Sequence, residues 1–187
     1  KMKNLKMMAF AITLITLTSC SNDDSPVNEE ELITTVITTL TGDGQTITLT
    51  ARDLDGDGPN APVITVSGDL VAGTTYAGAT RFLNELNNPV DEITEEVQEE
   101  GAEHQVFYQL ASNIGTVTYH SANTDANGNP IGLQFTLTTS ANNATSGTFV
   151  VTLIHLPNKT ATGVAAGDIT NAGGATDALA IFPLTIQ

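Results

Sequence analysis

Polar and apolar residues alternate with period two through most of the chain. In Thr46-Ile47-Thr48-Leu49-Thr50-Ala51, Ile47, Leu49 and Ala51 share one face and the threonines share the other. That is the pattern of a strand with one buried and one solvated side. The preceding run, Leu32 to Leu40, is rich in Ile, Val and Thr. Branching at Cβ restricts χ1, which strands tolerate better than helices. Gly42-Asp43-Gly44 lies between the two runs and predicts a hairpin. Further strands are predicted at Pro62–Ser67, Thr75–Leu86, His104–Leu110, Gly115–His120, Leu133–Thr138, Phe149–Leu156 and Ala178–Ile186. Phe149–Leu156 is apolar on both parities, which points to a central strand. Pro183 suggests an edge or a bulge.

Two stretches break the strand pattern. Val90–Ala102 is acidic, and Ile93 and Val97 lie four apart on one helical face. It reads as a short helix, with Asp91 as the starting cap and Gly101 as the stop. Residues 158–176 are rich in Gly, Ala and Thr and read as a long loop. Eight or nine short strands, glycine turns and one short acidic helix predict an all-β fold, an antiparallel β-sandwich. Residues 31–187 form one domain in this reading.

The phrase Leu70-Val71-Ala72-Gly73-Thr74-Thr75-Tyr76 sharpens the expectation. It resembles the corner of fibronectin type III and related immunoglobulin-like sandwiches. There a leucine and a tyrosine flank a turn, and the tyrosine hydroxyl bonds back to the chain. The resemblance implies an immunoglobulin-like sandwich with Leu70 and Tyr76 as structural corner residues. It concerns fold alone, since this architecture carries many functions.

The N-terminal segment adds a location. Lys1, Lys3 and Lys6 precede the apolar run Met7–Leu17. The run is shorter than the ~20 residues of a spanning helix and fits a secretory signal over residues 1–19. Leu17-Thr18-Ser19-Cys20 then resembles a bacterial lipobox, which implies cleavage before Cys20 and lipidation (palmitate-type acyl chains) on that residue. Acyl chains hold to a bilayer by about 0.8 kcal/mol per buried CH₂. The polar residues 20–30 read as a flexible tether. Their start, Ser21-Asn22-Asp23-Asp24-Ser25, resembles the acidic export tag of Bacteroidota surface lipoproteins. Together these resemblances imply an outer-membrane lipoprotein exposed at the cell surface, similar to small flavobacterial lipoproteins, with a periplasm-facing domain as the alternative. Cys20 is the sole cysteine, so no intrachain disulfide forms.

Charge excludes some partners. Without the signal, Arg52, Arg81 and Lys159 stand against 21 Asp and Glu. Nucleic acids and anionic surfaces are bound by clustered Lys and Arg, so neither is an expected partner. The expected partners are the membrane, through the anchor, and a protein or glycan.

Asp53, Asp55 and Asp57, followed by Gly58, match the first half of an EF-type calcium loop. The position of the closing Glu holds Ile64, and Pro59 and Pro62 stiffen the loop. Two readings stand: a weak calcium site, or an acidic strand connection. Asp125, Asn127 and Asn129 repeat the spacing around Gly128, where Asn-Gly also signals a plain turn. His104, His120 and His155 lack the spacing of a zinc motif, and neither a nucleophile elbow nor a phosphate loop occurs. The leading expectation is a non-enzymatic binding or scaffolding module, with calcium stiffening one end only under the first of these loop readings. One alternative is a hydrolase using Glu103, His104 and His155, alone or with a metal. Another is a carbohydrate-binding accessory of an uptake system, which the absence of Trp and the count of three Tyr disfavour.

Overall fold

The computed structural model describes residues 32–56, 58–142 and 145–187. The signal segment, Cys20, the tether and Asp57 lie outside the described residues. The elements are β1 (Thr35–Gly42), β2 (Gln45–Arg52), β3 (Val63–Val66), β4 (Thr75–Leu83), α1 (Ile93–Glu99), β5 (His104–Leu110), β6 (Gly115–Tyr119), β7 (Gln134–Thr139), β8 (Thr145–His155) and β9 (Ala175–Ile186).

The strands form two sheets, one of six in the order β3-β2-β1-β4-β7-β6 and one of three in the order β5-β8-β9. Every pairing of these strands is antiparallel. The sheets share one core. Val36, Leu40, Ile47, Leu49, Phe82, Phe135 and Leu137 come from the first sheet. Val106, Tyr108, Phe149, Val151, Leu153, Phe182 and Leu184 come from the second. The fold is therefore an antiparallel β-sandwich. Its strands divide six and three, where a constant-type immunoglobulin domain divides four and three.

Local chemistry accounts for the framework. β1 and β2 join through Asp43 and Gly44, both at positive φ (49° and 72°), the requirement of a two-residue primed turn. β8 is the middle strand of its sheet, as its two apolar faces require. It begins at Thr145 rather than Phe149, because Ser146, Gly147 and Thr148 continue the ladder to β9. β4 ends at Leu83 rather than Leu86. Asn84 leaves the ladder and exchanges two backbone bonds with Asp91, each 3.0 Å.

That exchange also moves the helix start. Asp91 is held in an extended bridge and does not cap α1. Glu92 occupies the cap without a side-chain cap bond, because its carboxylate pairs with Arg81 and Thr94. The helix closes at Glu100, one residue before Gly101. Gly101 stays small for another reason: a methyl there would sit 2.5 Å from Ile131 Cδ1. Ile93 and Val97 are buried, as their spacing predicts.

At the corner, Leu70 and Tyr76 are both fully buried. The Tyr76 hydroxyl accepts from the Val71 amide at 2.8 Å and from Gln45 Nε2 at 3.2 Å. Leu70 donates its amide to Thr185 (2.8 Å) and accepts from Gln187 (2.9 Å), stitching the corner to the end of β9.

The Gly/Ala-rich stretch is more than a connection. Two 3-10 turns, Val164–Ala166 and Ile169–Asn171, fold it over the outer face of the smaller sheet. There Phe107, Ile154, Val164 and Ala172 form a second apolar cluster. Gln105 Nε2 donates to the Val164 carbonyl at 2.8 Å beneath it.

Candidate functional site

The chemistry-bearing side chains gather at one end of the smaller sheet. His104 opens β5, His155 closes β8, and the two are direct cross-strand partners. Both have the parity of the core: His104 with Val106 and Tyr108, His155 with Leu153 and Val151. Their rings lie 4.8 Å apart between centroids, with planes inclined by 15°.

A bulge brings in the third member. Leu153 pairs with Ala178, but Ile154 pairs with Thr176, so Asp177 has no residue opposite it. Simple alternation along β9 would set Asp177 beside the exposed Leu179 and Ile181. One extra residue reverses the side to which a side chain points. Asp177 Oδ2 comes to 3.8 Å from His104 Nε2, with its side chain 3% exposed. Glu103 Oε2 stands on the solvent side, 3.7 Å from His155 Nε2. His120 is elsewhere: its Nδ1 accepts from the Ala122 amide.

Asp177 also lines a groove of about 440 Å³ at this end. Val36, Ala51 and Ala178 form its apolar floor, and Leu32, Thr34, Asp53, Pro62 and Leu179 its walls. A comparable hollow of about 460 Å³ lies between α1 and β4, but it holds neither histidine nor Asp177. The groove joins the Asp-rich loop to the His/Asp cluster.

Within that loop the described carboxylates serve the loop itself. Asp53 Oδ1 accepts from the Asp55 amide at 3.3 Å, and Asp55 Oδ2 accepts from Asn60 Nδ2 at 2.7 Å and from the Asn60 amide at 3.3 Å. The Asn60 side chain is the main cause that holds the Asp55 carboxyl below its usual range. In the second alternating stretch, Asp125 Oδ1 accepts from the amides of Asn127 and Asn129 (2.8 and 2.9 Å), closing a turn with Gly128 at φ 84°.

Each of the three Arg and Lys side chains among the described residues is paired with a carboxylate: Arg52 with Glu85, Arg81 with Glu92, Lys159 with Asp125. The described Phe and Tyr rings are buried or half-buried. The hydrolase alternative named Glu103, His104 and His155 without any spacing to join them, and the fold brings them together. The sequence could not point to Asp177, whose one hint was a lone carboxylate at the head of an apolar strand.

Comparison with family models, with curated proteins and with solved structures finds no significant match to this chain.

Proposed function

We propose that the chain is a binding module displayed at a cell surface, held by lipid on Cys20 and engaging its partner in the end groove. The observation that carries this is the groove's make-up: an apolar floor with Asp53 and Asp177 in its walls, in a domain whose Arg and Lys are all engaged. About 440 Å³ is within the range of sites that hold small ligands or a few side chains. Its chemistry suits a cationic group on an apolar stem, such as a lysine or arginine of a protein partner.

The carbohydrate reading finds no support, since a sugar platform needs exposed rings. The hydrolytic reading draws on the meeting of Glu103, His104 and His155. His104 is fully buried, so a scissile bond has no approach to it, and this favours binding over turnover.

Amide chemical shifts followed by NMR during titration with hexalysine, hexaglutamate and a soluble glucan test the proposal. Hexalysine is expected to shift residues 34–36, Asp53 and residues 176–179, with the shifts reduced in Asp53→Asn. Silence of those residues with hexalysine, or equal shifts with hexaglutamate, would sink it.

A further inference from the structure

We propose that His104, His155 and Asp177 bind a divalent transition-metal ion of the zinc class. The site shares Asp177 with the groove, but it does not depend on which partner the groove takes. Their ligand atoms all lie within 4.8 Å of one another. Two borderline imidazole nitrogens beside one hard carboxylate oxygen suit zinc and its neighbours, whereas calcium takes oxygen alone.

Hydrogen bonding orients the first ligand. His104 Nδ1 lies 3.3 Å from the Glu100 carbonyl oxygen. A carbonyl only accepts, so Nδ1 carries the proton, and in the neutral ring Nε2 presents its lone pair. Such a bond from the far ring nitrogen to a carbonyl is the usual support of a metal-bound histidine. That lone pair faces Asp177 Oδ2, another electron-pair donor. The 3.8 Å between the two atoms is short enough for two bonds of about 2.0–2.1 Å to one ion.

Tetrahedral zinc, with ligands at about 2.0–2.1 Å, sets its ligand atoms about 3.4 Å apart. The trio therefore closes by roughly an ångström on binding, by rotation of the His155 ring and the Asp177 carboxylate. The three residues come from adjacent strands, β5, β8 and β9, so the ion ties all three at the end where the ladder slips. Asp177 lines the groove, which supplies the entry path that a buried site needs. Glu103, 3.7 Å from His155 Nε2, or a water completes four-coordination.

The test uses the purified full chain, stripped with chelator and titrated with Zn²⁺ alone. One equivalent is expected to bind, with a rise in the thermal midpoint, because the ion binds the folded state. Asp177→Asn and His155→Gln are each expected to weaken binding by roughly tenfold or more, with the far-ultraviolet circular dichroism unchanged. Co²⁺ substitution guards against misfolding as the cause: the wild type is expected to show the intense visible bands of a tetrahedral site, and both variants to lose them. Absence of saturable Zn²⁺ binding, or equal affinity in both variants, would overturn the proposal. So would nitrogen NMR showing protons on both His104 ring nitrogens in the presence of Zn²⁺.

Discussion

Lys159 sets its ammonium 3.2 Å from Asp125 Oδ2, with the two side chains 5% and 1% exposed. The same nitrogen donates to the carbonyls of Gly101 and Pro130. One side chain from the covering loop thus joins the turn after α1 to the turn before β7. Burial draws the Lys159 pKa down, against the pull of Asp125.

Removing one partner of a buried pair leaves the other charge uncompensated, at a cost of about 3–5 kcal/mol. Lys159→Met is expected to lose stability on that scale in urea unfolding. Adding Asp125→Asn to that variant should restore part of it. A Lys159→Met midpoint equal to wild type would show that the pair holds nothing together.

Tyr76→Phe keeps the ring and deletes the acceptor of the Val71 amide. An amide left without its partner costs about 1–3 kcal/mol. Equilibrium denaturation should report a loss in that range, and hydrogen exchange at Val71 should accelerate. An unchanged exchange rate would argue that water replaces the hydroxyl.

Gly78 and Phe135 are cross-strand partners, and a methyl built on Gly78 would overlap the Phe135 ring. That ring is 2% exposed and packs on Tyr108 with centroids 4.1 Å apart, so it has nowhere to go. Gly78→Ala is expected to destabilise by about 1–3 kcal/mol, the cost of overpacking a filled core. A thermal midpoint at or above wild type would contradict this.

Acid should weaken the fold through its paired carboxylates. The Arg52 and Thr35 bonds hold the Glu85 carboxyl below its usual value of 4.5. At Asp125 burial pushes upward, but the Asn129 and Asn127 amides and Lys159 outweigh it, so its pKa also falls below 3.8. A depressed folded-state pKa gives stability that is present above the unfolded value and lost as pH falls through the folded one. The thermal midpoint is expected to decline from about pH 4.5 downward, and less steeply in Glu85→Gln. An acid limb identical in that variant would remove Glu85 from the account.

Where side-chain parity alone decides, the chain could be read directly. The faces of Ile47, Leu49 and Ala51, the hairpin at Asp43-Gly44 and the buried pair Ile93 and Val97 are all local patterns. Asp177 was hidden because a bulge leaves no mark in composition. Its parity belongs to solvent until the ladder slips beside Ile154. Asp91 has the residue type of a helix cap, yet a bridge to Asn84 claims its backbone first. The loop over Phe107 was hidden for a related reason: Gly, Ala and Thr signal flexibility, while Val164 and Ala172 find burial only after β5 and β8 have paired. In each of these cases a contact distant in sequence overrides a correct local preference.

β9 also has a mechanical consequence. It runs twelve residues, about 40 Å at the rise of a strand, from the groove at Thr176 to the corner at Leu70. Leu32 and Thr35 lie at the groove end, and Ile186 at the other. A load drawn between Leu32 and Gln187 therefore pulls along the strands and across their perpendicular hydrogen bonds. β9 must shear from β8 over its whole ladder at once instead of peeling pair by pair. Pulled from those two ends, the domain yields last along β9.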